Sequence, residues 1–168
     1  MTSHVYRIAQ FSDLHLSSQA GGLCKGVDCW QQLRKMLAHL SEESPVDGLV
    51  LTGDIAHDES RDTYERLHDI LKQLSIPYFL IPGNHDDPKL MQEVFPAQGS
   101  ADGTAMCFDW VLRDLAVIGL DTHEPGSDGG SLSAANLRWF QKQCELNAER
   151  SVLVFMHHPP LNTGDVFF

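Results

Sequence analysis

The sequence predicts an α/β fold. Short apolar runs alternate with amphipathic segments along the chain. No repeat, linker or low-complexity stretch interrupts that alternation. Residues suited to holding metal recur just past the ends of the apolar runs, where ligands collect in open α/β sheets.

The elements follow in order. Val5 to Phe11 reads as a first strand. Trp30 to Leu40 reads as a helix, because Trp30, Leu33, Met36, Leu37 and Leu40 fall on one face. Gly48 to Thr52 is a fully apolar strand, and Glu59 to Leu74 a second helix with Tyr64, Leu67, Ile70, Leu71 and Leu74 on its apolar side. Pro77 to Ile81 is a third strand, closed by Pro82-Gly83. Pro88 to Phe95 suits a short helix, with Pro88 in the first position where its missing N–H costs nothing. Two successive strands are expected over Met106 to Arg113 and Leu115 to Leu120, joined by a tight turn at Arg113-Asp114. After a turn-rich loop over Glu124 to Gly130, Ser133 is placed to cap a helix reaching Leu146, with Leu137, Phe140 and Cys144 on one face. Ser151 to Met156 is a last buried strand.

Composition narrows the functional classes. The chain has 168 residues, 42% of them hydrophobic and 21% charged, which suits one globular domain. Its net charge of −11 opposes a phosphate backbone, so nucleic-acid binding ranks low. A bound metal reverses the local sign, so an acidic protein with nine histidines can still accept a phosphate. No apolar run is long enough to span a membrane, and the amino-terminal residues do not read as a secretion signal, so a cytoplasmic location and no membrane partner are expected. The four cysteines, Cys24, Cys29, Cys107 and Cys144, form no Cys-x-x-Cys pair. They read as reduced, mostly buried thiols, with a Cys24–Cys29 disulfide left open.

The chemistry lies at the strand ends. The first strand ends in Ser12-Asp13-Leu14-His15, the second in Gly53-Asp54, the third in Gly83-Asn84-His85-Asp86 and the last in His157-His158-Pro159-Pro160. Asp13 and His15, two apart in an extended segment, can be aimed at one ion by a slight twist. Asp54 has two oxygens and can bridge two ions, Asn84 offers a neutral carbonyl oxygen, and His157 adds an imidazole. Mixed nitrogen and oxygen donors without thiolate suit Fe, Mn, Zn or Co. The glycines before Asp54 and Asn84 are expected to let the backbone turn sharply. Each string has a bland reading as well: Asp13 as a helix cap, Gly53-Asp54 as a turn, and His157-His158 as surface residues before strand-ending prolines. Four of them in one order at strand ends favour the metal reading.

The order Asp-x-His, Gly-Asp, Gly-Asn-His-Asp, His-x-Pro resembles that of the calcineurin-like metallophosphoesterases. Within them, Gly26-Val27-Asp28-Cys29-Trp30, Thr52 to Asp58, Ile81 to Asp86, Gly119 to Thr122, and Gly130 to Ser133 leading to Leu137 to Phe140 are similar to bacterial 3′,5′-cyclic AMP phosphodiesterases, the class III cyclic nucleotide phosphodiesterases. The resemblance implies a β-sandwich flanked by helices, in α/β/β/α order. It implies two divalent ions, Fe²⁺ or Mn²⁺ first and Zn²⁺ or Co²⁺ next, held by Asp13 and His15 at one site and by Asn84 and His157 at the other, with Asp54 bridging. His157 is preferred over His158 because the family's ligand stands two residues before a proline, here Pro159. Asn84 and His85 would meet the substrate, and His85 would be the catalytic residue, contacting the phosphoryl group or assisting the leaving oxygen. The implied reaction is attack on 3′,5′-cyclic AMP by hydroxide from a bridging water, giving the 5′-monophosphate. The implied partner is thus a small cyclic nucleotide, and a homodimer fits the same reading. Another phosphodiester or phosphomonoester, a glycerophosphodiester among them, is the competing substrate class, decided by loops such as Ser17 to Asp28 and Thr122 to Gly130. A non-catalytic remnant is the competing non-enzymatic reading.

The family carries one more motif, Gly-His-x-His, which this sequence does not contain. His57 and His123 lack its context and read as substrate-side or solvent residues. The expectation is therefore one phosphoesterase domain over residues 1–168, corresponding to the amino-terminal two thirds of the family's fold. It would be incomplete at its carboxyl end, would bind metal weakly and would turn over slowly.

Overall fold

The computed structural model describes residues 5–19, 23–42, 45–99 and 105–161. The first residues of the amino-terminal segment, part of the Ser17 to Asp28 loop and the residues after Leu161 lie outside that set.

The described residues form two three-stranded sheets and four helices. The first sheet holds β1 (Ile8–Phe11), β2 (Gly48–Thr52) and β3 (Tyr78–Ile81), in that order and all parallel. Its crossovers are α1 (Cys29–Glu42) and α2 (Arg61–Leu71), and α3 (Pro88–Val94) follows β3. The second sheet holds β4 (Phe108–Leu112), antiparallel to β5 (Leu115–Leu120), and β6 (Ser151–Met156), parallel to β5, with α4 (Ala134–Leu146) in the β5–β6 crossover.

Alternation along β2 shows why the layers stack as they do. Leu49 and Leu51 face the helices and join Trp30, Leu33, Tyr64, Leu67, Leu71 and Met91 in the larger core. Val50, between them in sequence, points the other way and meets Ile81, Phe108 and Val117 in a second core between the sheets. Both faces of β2 are covered, so all five of its residues are buried and the strand carries no polar alternation until Thr52. Each buried leucine contributes about 1.5–3 kcal/mol of transfer free energy. Phe79 bridges the sheets, stacking on Phe108 at 4.8 Å and on Trp110 at 5.1 Å. The layers run α/β/β/α, as the sequence predicts.

Several element ends differ from expectation. β1 begins at Ile8 because its partner begins at Gly48; one residue earlier, the Arg7 amide turns to the Asp47 carboxylate at 2.7 Å, and Val5 is exposed. α2 starts at Arg61 and stops at Leu71, where the Gln73 and Leu74 amides tighten to the carbonyls of Ile70 and Leu71. Ser133 caps α4, its hydroxyl accepting the Asn136 amide at 3.0 Å. The apolar face of α4 is more open than expected: Leu137 is exposed and Gln143 is the buried residue of the helix. β6 also departs from the buried strand expected, since Ser151, Val152 and Leu153 are exposed and only its second half is partly covered. Of the cysteines, Cys107 alone is buried; Cys24, Cys29 and Cys144 are half-buried, which corrects the mostly buried reading. No helix among the described residues is long and apolar enough to cross a membrane.

Candidate metal centre

All the sequence-predicted donors lie just past the carboxyl ends of β1, β2, β3 and β6. β6 belongs to the other sheet, so the site sits at one edge of the sandwich where the two sheets meet.

The backbone there is unusual. Six described residues other than glycine have positive φ, and three of them are Asp13 at 56°, His15 at 43° and Asp54 at 50°. The left-handed region costs a side chain about 1 kcal/mol or more, and such residues gather at functional sites. This corrects the extended geometry expected for Asp13 and His15. Their amides are fixed across the loop, Asp13 N–H donating to the Gly53 carbonyl at 3.1 Å and His15 N–H to the Asp54 carbonyl at 2.9 Å. The two strand ends are thus braided by backbone bonds, and the left-handed turns bring the side chains together. One donor atom from each of Asp13, His15 and Asp54 lies within 4.8 Å of the others.

The glycines act in two ways. Gly53 has φ 90° and supplies the turn expected of it. Gly83 has no positive φ; it is required for space, because a Cβ there would lie 2.2 Å from Asp54 Oδ1 and 2.8 Å from His157 Nε2. The sharp-turn role expected of Gly83 is therefore a close-approach role.

Asp54 is buried and its two oxygens face different neighbours. Oδ2 lies 3.7 Å from His15 Nε2. Oδ1 lies 3.4 Å from His157 Nε2 and accepts the His85 amide at 3.0 Å. His157 Nδ1 is 2.8 Å from the Thr52 carbonyl, which can only accept, so the proton of the neutral ring sits on Nδ1. Nε2 then presents a lone pair toward Asn84 Oδ1, 3.3 Å away, and toward Asp54 Oδ1. With the ring in that form three acceptors converge there, an arrangement that a bound cation would satisfy. On the other side, His15 Nδ1 is buried without a hydrogen-bond partner among the described residues. Burial pushes the His15 imidazolium pKa down, against the pull of Asp54, and so favours the neutral, ligating form. The donor set fits divalent ions of the Fe, Mn, Zn or Co type.

His158 faces elsewhere. It is buried, its Nδ1 pairs with Thr122 Oγ1 at 2.8 Å, and burial followed by the neighbouring His157 lowers its pKa. Its ring meets that of His157 edge-on at 4.8 Å. The geometry therefore turns His157, not His158, toward Asp54. His85 is exposed, with its ring 5.2 Å from that of His15.

His57 lies where a substrate-side or solvent residue is expected, whereas the role of Asp86 was not singled out in the sequence. His57, at 5.7 Å from the ring of His15 and stacked 6.2 Å from that of His85, stands at the mouth of the site. Asp86 looks like a fourth motif residue but faces inward. It accepts the amides of Ile55, Ala56 and Gly83 and the Tyr64 hydroxyl, at 2.9–3.1 Å, and so clamps the β2 and β3 loops to α2. Burial pushes its pKa up, and those four donors oppose the shift. The only sequence signal for this role is the pairing of Gly83-Asn84-His85-Asp86 with a tyrosine on the neighbouring helix. Beside Asn84 opens a groove of about 1010 Å³, bordered by Lys89, His123, Glu124 and Asp128. A smaller hollow of about 470 Å³ lies away from the site, between β3, β4 and α4.

A two-sheet α/β/β/α domain with nitrogen and oxygen donors gathered at its strand ends is the frame of a metallophosphoesterase. The chain belongs to the calcineurin-like phosphoesterase family, whose pattern matches residues 6–168. It is similar to a probable glycerophosphodiester phosphodiesterase of Arcobacter nitrofigilis, at 30% identity over 94% of this chain and 58% of that protein. A probable cyclic nucleotide phosphodiesterase of Fibrobacter succinogenes is 29% identical over 99% of this chain and 62% of its own length. The 3′,5′-cyclic adenosine monophosphate phosphodiesterase of Escherichia coli K12 is 28% identical over 94% of this chain and 57% of its own. The chain spans about three fifths of the length of these curated relatives.

Proposed function

We propose that residues 1–168 form a metal-dependent phosphodiesterase domain acting on 3′,5′-cyclic AMP to give the 5′-monophosphate. The observation that carries the reading is the orientation of Asp54, one oxygen toward His15 and the other toward His157 and Asn84. Two divalent ions bound there, Fe²⁺ or Mn²⁺, would acidify a water and offset phosphate charge.

The chain's own residues set the geometry of the reaction. Asp13 and His15 would hold one ion, Asn84 and His157 the other, and Asp54 both. Asp54 accepts the His85 amide, which fixes the His85 backbone and leaves its imidazole on the open side. From there the ring can contact a phosphoryl oxygen or give a proton to the leaving 3′ oxygen. Asn84, at the border of the groove, would hold the same phosphate. The Thr52 carbonyl fixes the tautomer of His157, and the Asp86 clamp keeps the loops of Asp54 and Asn84 in register.

Cyclic AMP as the substrate is supported by the name of the Escherichia coli relative. The Arcobacter relative favours a second reading, a glycerophosphodiester, since metal ligands grip phosphate and leave the alcohol to the loops. The test compares release of AMP from cyclic AMP with release of glycerol phosphate from glycerophosphocholine, in Mn²⁺ and with Asp54→Ala as control. AMP formation abolished by Asp54→Ala supports the first reading. Turnover of the glycerophosphodiester alone selects the second. Equal Mn²⁺ uptake by wild type and Asp54→Ala would remove the metal site on which both depend.

A further inference from the structure

We propose that Cys24 and Cys29 form a dithiol modification site, which closes to an intrachain disulfide by exchange with a small-molecule disulfide. The two residues are held on opposite sides of one tight turn. Cys24 and Val27 exchange both backbone hydrogen bonds, at 3.0 and 2.9 Å, around Lys25 and Gly26, whose φ values of 47° and 83° are those of a two-residue hairpin turn. Cys29 lies two residues past Val27, and its Sγ approaches the Val27 carbonyl at 3.7 Å, the same oxygen that takes the Cys24 amide.

Both ends of the prospective bridge are anchored. Cys29 opens α1, whose first turn is capped by Asp28 through the Gln31 amide at 2.9 Å. The next residue, Trp30, is buried, and its indole N–H donates to the Ser17 carbonyl at 2.8 Å. The bridge would therefore form between two backbone segments already fixed, one by the hairpin turn and the other by the helix cap. Both thiols are half-buried and reachable, whereas Cys107 is buried and Cys144 sits on α4.

The exchange balances. A thiolate of the pair attacks one sulfur of oxidised glutathione, the S–S bond breaks, and one glutathione thiolate leaves. The second cysteine loses its proton and attacks the protein sulfur of the mixed disulfide, expelling the second glutathione thiolate. Two cysteines are oxidised by two electrons, and two glutathione thiols are formed. Burial, followed by the neighbouring Cys24, pushes the Cys29 thiol up, which suits Cys29 to the second, resolving step.

The test is chemical and independent of any phosphodiesterase activity. The chain is incubated with oxidised glutathione, its free thiols are alkylated, and it is digested with trypsin without reductant. Cleavage after Arg7, Lys25 and Arg34 cuts inside the ring, so the disulfide appears as peptide Ile8–Lys25 linked to peptide Gly26–Arg34. The expected result is that linked pair, from a chain that runs as a monomer on a non-reducing gel. Cys24→Ser and Cys29→Ser should each instead retain a glutathione adduct on the remaining cysteine. Stable adducts on the wild-type pair, a disulfide between two chains, or both thiols still alkylatable would each overturn the proposal.

Discussion

Replacing Asp86 tests whether one buried carboxylate braces the candidate metal centre. Its oxygens accept the amides of Ile55, Ala56 and Gly83 and the hydroxyl of Tyr64. In Asp86→Ala all four donors lose the carboxylate, at roughly 1–3 kcal/mol for each buried group left unpaired. The loss is about 4 kcal/mol at the low end, against a total of about 5–15 kcal/mol for a domain. The alanine variant is thus expected to lose a large share of the domain's stability. Asp86→Asn is the informative form: its oxygen still accepts, while its NH₂ faces the amides it should accept from, at a cost of about 2 kcal/mol or more. Urea unfolding followed by tryptophan fluorescence reads this as a lower midpoint with an unchanged slope. Mn²⁺ titration of the folded Asn variant should show affinity lower by about 10–100-fold, because the loops of Asp54 and Asn84 lose their shared clamp. An Asn variant within about 0.5 kcal/mol of wild type, with unchanged Mn²⁺ affinity, would refute the reasoning.

Other expectations follow from single contacts. In Gly83→Ala the new methyl meets Asp54 Oδ1 at 2.2 Å and His157 Nε2 at 2.8 Å; Mn²⁺ affinity should fall at least tenfold and stability by about 1–3 kcal/mol, read by titration and by urea unfolding. Burial raises the Asp58 pKa, but the Ser18 amide and hydroxyl, the Thr63 hydroxyl and the Ser60 amide outweigh it and hold the carboxyl below its ordinary 3.8. Its contribution is therefore complete above about that pH and is lost as pH falls through the lowered folded value. Asp58→Asn should flatten that part of the acid-unfolding curve and leave the neutral region little changed in shape. Leu80→Ala, in the core between β3 and the helices, should cost about 2–5 kcal/mol by thermal unfolding.

Much of the fold was legible because burial on both faces writes itself as continuous apolar runs. Gly48 to Thr52 and Leu115 to Leu120 were read to the residue. Ser133 and Pro88 marked helix starts because capping and proline chemistry are local. Edges were less legible: Val5 is as apolar as the residues of β1 but pairs with no strand among the described residues, and the apolar side chains of β6 carry no sign that half the strand is exposed. Whether an apolar residue is covered depends on what lies opposite, which is a tertiary fact.

The candidate site divides in the same way. Residue types and their order along the chain already named Asp13, His15, Asp54, Asn84 and His157, because metal chemistry restricts which side chains serve and strand ends restrict where. The choice between His157 and His158 in space depends on the Thr52 and Thr122 oxygens, each far away in sequence. The division of Asp54 between two sets of partners depends on three left-handed residues held by bonds between loops. Asp86 turns inward only because Tyr64 and three amides wait there. Sequence by itself determined the kinds of element and the candidate donors, since both follow from local pattern and side-chain chemistry. Tertiary structure decided where each donor points, since that direction is set by hydrogen bonds between segments that are distant along the chain.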